Sequence, residues 1–405
     1  KQGAAFGGDN RYIFSAHTSG SDAGFLGIWM KDDNRLALGG WSTDWRFTTS
    51  VYRDTAAHMH ICVGVDTTQS VAGDRIKIEI NGVELTAFDS STNPTLNYEF
   101  VINSATQHVV GGDASGAPDD FWDGYMAEVV FIDGTPKTAS DFGETNDDGV
   151  WVPKKYAGAY GDNGFNLDFA DSSALGNDVS GEGNDFASSG LASADQMPDT
   201  PTKNYCVMNA VDPSADEFTL TEGNLRTTSG DGAVIRSTFL MESGKWYWES
   251  QTSSSVTDDA SPRIGIQLPD SSSTSIASTG GYAIDCDGGK IYNGSSATAT
   301  STTVSANDYF SFAYDADAEK LWIGKVVSGT RTWLNPGGSA ASDANVTSGT
   351  NATYTSVTAP RLAAMEGHDE RDQGTDGWNF GQKTFQGNSG TPPTDFVSLD
   401  TSNIA

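Results

Sequence analysis

At 405 residues the chain is long enough for two or three hydrophobic cores. Its 23 Lys and Arg stand against 54 Asp and Glu, a formal net charge of -31. That balance repels phosphate backbones and anionic lipid and argues against nucleic acid and membrane as partners. Ten Trp, thirteen Tyr and nineteen Phe exclude a disordered acidic chain. No apolar run is long enough to span a bilayer. Acidity of this kind fits a protein adapted to a salty medium.

Period-two alternation dominates the chain and predicts strands. In 60–65, Ile61, Val63 and Val65 point one way and His60, Cys62 and Gly64 the other. In 75–80, Ile76, Ile78 and Ile80 form an apolar face opposite Arg75, Lys77 and Glu79. Asn81-Gly82 follows, the strongest short hairpin signal, because a type I′ turn needs positive φ at both positions. Segment 125–132 is apolar on both faces and reads as a buried strand ending at Asp133-Gly134, with a short helix around 138–142. Strand-like 165–169 lies within a Gly, Asn, Ser and Asp-rich region that also holds Trp151, Tyr156 and Tyr160. Further on, Trp246 and Trp248 alternate with Lys245, Tyr247 and Glu249. More strands are expected at 263–267, 282–286, 309–314, 321–325, 361–365 and around Trp378-Asn-Phe380. The pattern is all-β: two antiparallel, jelly-roll-like β-sandwich modules at 1–144 and 204–385. An ordered loop-rich bridge at 145–203 joins them, and 386–405 is a loop-like tail.

Cys62, Cys206 and Cys286 are odd in number and far apart, so buried free thiols are expected and no disulfide framework. The chain opens at Lys1 without a starting Met or signal peptide, as a processed piece of a longer protein would.

No catalytic spacing stands out. A retaining glycosidase needs two carboxylates about 5–5.5 Å apart. Asp285-Cys-Asp287 and Asp315-Ala-Asp317-Ala-Glu319 have paired spacing, but both sit where Asp forms a hairpin turn. None of His17, His58, His60, His108 and His368 lies in a nucleophile elbow, and no zinc spacing occurs. His58 and His60 would share one strand face. Calcium is the more plausible ion, since hard cations take several oxygens. The candidates are Asp113, Asp119, Asp120 and Asp123, clustered before Gly124, with Asp178 and Asp185 weaker. Aromatic faces could stack on sugars. Trp41, Trp45, Trp122 and Trp333 are the ligand-binding candidates, with Trp29 and Trp378 behind them. Of these, Trp41 and Trp45, flanked by Gly40, Ser42, Thr43 and Asp44, read as exposed loop residues.

Two sets of motifs carry resemblances. Tyr52-Arg53-Asp54, Asp66-Thr-Thr-Gln69, Arg75-Ile-Lys-Ile-Glu-Ile-Asn-Gly-Val83, Gly124-Tyr-Met-Ala-Glu-Val-Val-Phe-Ile-Asp-Gly134 and Asp141-Phe-Gly-Glu144 resemble a laminin-G-like, concanavalin-type module. Continued by Trp151-Val-Pro153, Tyr160-Gly-Asp-Asn-Gly-Phe165 and Asp199-Thr-Pro-Thr202, this wording resembles tail-fibre and related virion proteins of marine bacteriophages. Gly244-Lys-Trp-Tyr-Trp-Glu249, Arg263-Ile-Gly-Ile266, Gly281-Tyr-Ala-Ile284, Lys320-Leu-Trp-Ile-Gly-Lys325 and Asn379-Phe-Gly-Gln382 are similar to the SPRY (B30.2-like) family, whose sandwiches present loops to a partner.

The resemblances imply a non-enzymatic virion structural protein, a tail-fibre or receptor-binding component. It would recognise a host surface glycan or envelope protein. Its partners would be other virion proteins and copies of itself, as a homo-oligomer such as a trimer. A secreted or surface lectin or adhesin of a marine bacterium is the alternative, and a polysaccharide-degrading enzyme the third reading.

Overall fold

The computed structural model describes all residues except 4–9, 117–118, 148, 214–216, 230–231, 253–261, 279, 287–288, 301, 336–339, 368–372, 374–375 and 405. The chain divides into two compact units, Lys1–Thr202 and Lys203–Ala405. Almost all regular structure is antiparallel strand, and the class is all-β sandwich.

The first unit contains β1 (Arg11–His17), β2 (Phe25–Met30), β3 (Arg35–Gly39), β4 (Asp44–Val51), β5 (Ile61–Val65), β6 (Ile76–Ile80), β7 (Val83–Glu84), β8 (Phe88–Ser91), β9 (Gln107–Val110), β10 (Val129–Phe131), β11 (Gly143–Thr145), β12 (Trp151–Pro153) and β13 (Phe165–Leu167). Its main sheet has the order β8-β4-β3-β2-β1-β9, and β5-β6-β7 form a smaller one. Alternation on β2 sends Leu26, Ile28 and Met30 to one face. There they pack with Ala16, Leu36, Leu38 and Trp45 against Ile76, Ile78 and Ile80 of β6, which closes the core between the sheets.

Phe25, Gly27 and Trp29 point the other way. With Tyr12, Ala37 and Phe47 they form a second apolar layer. Its rings lie across glycines. A Cβ on Gly27 would stand 2.7 Å from the Tyr12 ring, and one on Gly39 2.5 Å from the Trp29 ring. Tyr12 and Trp29 stack with centroids 5.1 Å apart. The loop after β9 crosses this face and is tied down at Ser15. The Ser15 hydroxyl donates to Gly112 O (2.7 Å) and accepts from Ala114 N (2.9 Å).

The 81–82 hairpin forms as the sequence predicts, with Asn81 at φ 48° and Gly82 at φ 80°. The helix expected at 138–142 is a 3-10 turn, Ala139–Asp141, whose Asp141 carboxylate accepts from Thr138 N at 3.0 Å. Of the strand expected at 125–132 only Val129–Phe131 is extended, and it is half-buried. Glu128 at φ 55° breaks the run before it.

Residues 145–202, expected as an ordered bridge partly packed on the first module, count with the first unit. β10 pairs with β13 and β11 with β12. Trp151 stacks on His60 (5.8 Å, 13°) and donates its Nε1 to His60 Nδ1 at 3.1 Å. Its ring also lies over Gly82 and Gly143, where any Cβ would collide with it. At the far end, buried Asp199 accepts from Lys1 Nζ and pairs with His58 Nε2, both at 2.8 Å.

The second unit contains β14 (Phe218–Thr221), β15 (Arg226–Ser229), β16 (Val234–Arg236), β17 (Lys245–Gln251), β18 (Arg263–Gln267), β19 (Tyr282–Asp285), β20 (Ile291–Asn293), β21 (Ser296–Thr298), β22 (Tyr309–Asp315), β23 (Lys320–Val327), β24 (Thr330–Trp333), β25 (Tyr354–Thr355), β26 (Leu362–Glu366) and β27 (Trp378–Asn379). One sheet runs β16-β26-β18-β19-β20-β21. The other runs β24-β23-β22-β17-β27, with β25 also paired to β23. β17 lies between β22 and β27 and is buried on both faces, with Trp246 and Trp248 on one and Tyr247 and Glu249 on the other. Trp248 stacks on Phe312 at 5.3 Å.

The segment 386–405, expected as a loop-like tail, is part of this unit. Phe396, together with Phe385 just before the segment, enters the core beside Tyr247, Trp322 and Trp333. Val397 O accepts from Tyr247 N at 2.8 Å. A buried charge network latches the same segment. Arg331 donates to the Tyr247 hydroxyl (2.6 Å) and through two nitrogens to Asp343 (3.0 and 2.6 Å). The Tyr247 hydroxyl in turn donates to Glu249, which accepts from Gln386 N at 2.7 Å. Asn388 Nδ2 and Trp333 Nε1 complete the donors to Asp343.

Two predictions follow from these contacts. Gly82→Ala places a Cβ at positive φ against Trp151. It should lower the first unit's stability by about 1–3 kcal/mol, while the second calorimetric transition stays in place. In the second unit, burial opposes the charge on Asp343, but donors from Arg331, Asn388 and Trp333 outweigh it and hold the carboxyl below its ordinary value of 3.8. Its stabilisation is complete above that value and is lost as pH falls through the lower folded value. Asp343→Asn should therefore cost the second unit about 2–4 kcal/mol at neutral pH. Denaturant titrations from pH 5 downwards should show that this penalty shrinks with acid.

Candidate functional site

The loop end of the first sandwich where β1 turns into β2 and β3 into β4 carries an exposed tryptophan. Trp41 is 53% exposed. Its ring lies against Gly20, whose added Cβ would stand 3.2 Å from Trp41 Cε2. His17 lies behind it at 5.9 Å and Phe25 meets it edge-on at 6.2 Å. Asp22 fixes the turn that carries Trp41. One carboxylate oxygen accepts from Ser42 N (2.7 Å) and Thr43 N (3.1 Å), the other from Ser42 Oγ (3.1 Å) and Thr43 Oγ1 (2.7 Å). Burial opposes this charge, but the four donors outweigh it and hold the Asp22 carboxyl below its ordinary value. The turn is thus braced across two hairpins. Asp22 and Thr43 lie 21 residues apart, and no sequence pattern signalled their pairing.

The other tryptophan candidates are structural. Trp45 was expected beside Trp41 in the loop. It belongs instead to β4, is 5% exposed and packs on Tyr98 and Phe100 at 5.4 and 5.3 Å. A bulge between β3 and β4 turns it into the core. Trp122 packs against the same core. Trp333 is fully buried in β24, where its Nε1 donates to Asp343 at 2.8 Å. Trp29 and Trp378 are buried as well.

Of the four aspartates before Gly124, three converge. Asp113, Asp119 and Asp120 each offer a carboxylate oxygen within 4.8 Å of the others, with Asp113 buried and Asp119 exposed. Three such oxygens are part of the six to eight that calcium takes. Asp113 already accepts from Ser115 N and Oγ at 2.9 and 2.7 Å. Asp123 stands apart from the trio, with its carboxylate against Gly3. Asp178 does not hold an open site. It accepts from Asn166 N, Ser180 N and Oγ, Gly183 N and Asn184 N, five donors that fill its oxygens. Asp185 serves the same loop by accepting from Asp178 N.

His58 and His60 do not share a strand face. They precede β5, and one pairs with Asp199 while the other stacks on Trp151. Asp315 and Asp317 brace the β22–β23 and β16–β17 turns by accepting from Ala318 N and Gly244 N. Asp287 and His368 lie outside the described residues. All three cysteines are buried thiols, and burial pushes Cys62 up to about 12. A shallow depression of about 230 Å³ on the second unit is lined by Thr302, Thr303, Lys325, Val327, Thr332 and Leu334. The Lys325 ammonium is tied to Asp308 and to Thr303 O, both at 2.5 Å. Among the described residues no helix is long and apolar enough to cross a membrane.

No protein-family model matches the chain, and no curated protein matches it. Among solved structures the chain is similar to the SPRY domain of human HERC1, with a TM-score of 0.30 and 13% identity over 41% of this chain and 94% of that one. It is similar to the PSpry domain of TRIM65, with a TM-score of 0.30 and 13% identity over 42% of this chain and 89% of that one. It is also similar to stonustoxin, with a TM-score of 0.28 and 17% identity over 40% of this chain and 25% of that one. The all-β class rests on the sheets themselves.

Exposure separates the tryptophans in a testable way. Trp41→Ala should change stability by no more than about 0.5 kcal/mol, whereas Trp45→Ala and Trp333→Ala should each cost about 3–5 kcal/mol, read by denaturant titration. For the aspartate trio, Asp119→Asn relieves like-charge repulsion and should raise the first unit's melting temperature in chelator. A reversal of that order in millimolar calcium would assign the ion to the trio, and an unchanged order would leave it an acidic turn.

Proposed function

We propose that this chain is a non-enzymatic recognition protein, a tail-fibre or other receptor-binding component of a virion. It contacts a host surface glycan or envelope protein through the loop end that carries Trp41. The observation behind this reading is Trp41 itself. The fold leaves an aromatic ring half in water while four hydrogen bonds donated to Asp22 hold its turn in place. Ordered aromatic side chains on a rigid loop are what a binding surface needs, because little conformational freedom is left to lose on contact. The placement in a virion rests on the motif wording of 52–202, and the loop-presenting character of the second unit on its SPRY-like motifs. Other virion proteins and further copies of the chain are the expected neighbours in the particle.

The second reading, a secreted or surface lectin or adhesin, uses the same Trp41 platform and differs only in where the chain resides. Two measurements test the pair. Purified chain applied to an array of bacterial surface polysaccharides, with and without calcium, should bind a few related glycans saturably. Antibody against the chain should label the tail of the parent particle in electron microscopy. Glycan binding without particle label favours the lectin. Label without glycan binding leaves a virion part whose ligand is a protein.

A further inference from the structure

We propose that Trp41 is the stacking platform for one neutral pyranose ring, and that the rim around it discriminates against anionic sugars. This deepens the glycan-recognition reading and rests on it.

The mount of the ring is the first reason. Gly20, His17 and Phe25, which support Trp41, all belong to the hairpin that joins β1 to β2. The indole is backed by that hairpin and keeps 53% of its surface in solvent. The hairpin is itself closed by Thr18 N to Gly24 O (2.7 Å) and Gly24 N to Ser21 O (2.9 Å), and the Trp41 turn by Gly40 N to Thr43 O (2.8 Å). A ring so fixed is preorganised and loses little entropy when covered. A flexible exposed side chain would not show this bracing from two separate hairpins.

The second reason is the chemistry at the edge. A free indole face carries negative quadrupolar potential and matches the polarised C–H face of a single pyranose in size. The equatorial hydroxyls of such a ring need hydrogen-bond partners, since an unpaired one forfeits its bonds to water. Ser19, Ser21 and Ser42 stand exposed around Trp41. The Ser19 and Ser21 hydroxyls share one bond at 3.1 Å, and the Ser42 hydroxyl donates to Asp22 at 3.1 Å, so each keeps an acceptor lone pair.

Charge is the third reason. Segments 18–24 and 40–44 contain Asp22 and Asp44 and no Lys or Arg, in a chain of net charge -31. A uronic acid would bring its carboxylate towards like charge with no cation in either segment to receive it. A neutral hexose meets no such opposition.

The test follows the Trp41 indole N–H resonance while the intact chain is titrated with methyl glycosides of neutral hexoses, with glucuronic acid and with tetramethylammonium. A saturable shift at about millimolar neutral glycoside is expected, with glucuronate at least tenfold weaker at low salt and the gap narrowing as salt is added. Trp41→Ala should lose at least tenfold in affinity for a polysaccharide that the wild type binds, and Trp41→Phe should retain part of it. Asp44→Asn should raise glucuronate affinity and leave the neutral glycoside unchanged. Wild-type and Trp41→Ala chains that bind polysaccharide equally would overturn the platform and leave the recognition reading in place. Tetramethylammonium bound tenfold more tightly than any hexose would reassign the ring to a cation. No polysaccharide bound by the wild type would remove the glycan reading and the platform together.

Discussion

Close packing of aromatic rings onto glycine backbone holds this molecule together. With three free buried thiols and a net charge of -31, cohesion must come from apolar contact strong enough to offset self-repulsion. The device recurs. Tyr12 lies over Gly27, Trp29 over Gly39, Trp151 over Gly82 and Gly143, and Trp333 over Gly324. In each case a methyl group would force the ring away. Trp151 shows what depends on this. One ring covers the β6–β7 hairpin, stacks on His60 and thereby fastens the loop-rich region 145–202 to the first sandwich.

The acidity has a second face. Many aspartates are internal staples of loops, not groups waiting for a ligand. Asp22, Asp66, Asp171 and Asp178 each accept from backbone N–H groups and side-chain donors of the loops they brace, which holds their carboxyls below the ordinary value although burial opposes the charge. A carboxylate takes several donors at once and so orders a segment that has no ladder of its own. The buried Arg331 network applies the same logic in the second unit, where Glu249 on β17 and Asp343 fasten Gln386 and Asn388. Burial pushes the Glu249 carboxyl up, against the backbone donors and the Tyr247 hydroxyl that favour its charged form. Net charge alone therefore says little about which acids are available for binding.

The candidate site was legible only in part. Trp41 stood out because Gly, Ser, Thr and Asp surround it, a local composition that keeps a side chain on the surface. Trp45 shares that neighbourhood, yet a bulge four residues along turns it into the core. Trp333, also a ligand-binding candidate, is buried instead in the second unit's core, where Asp343 ten residues later accepts from its indole. The aspartate cluster divided similarly. Three carboxylates converge because a loop folds back over Ser15, whereas Asp123 leaves with the chain towards Gly3.

From the sequence alone follow the all-β class, the hairpin at Asn81-Gly82, half of the strands of the second unit and the absence of a disulfide framework. Each rests on a period of two, a φ requirement or a count, all local properties of the chain. Tertiary structure alone decided which contacts fasten 145–202 to the first unit and that 386–405 packs into the second. It also decided which tryptophan meets water and which acids are already occupied. Those outcomes depend on contacts between residues far apart in the chain, such as Asp22 with Thr43 and Arg331 with Thr391. Residue type does not encode such partners, because the same Asp or Trp can serve a turn, a core or a surface until packing determines what lies beside it.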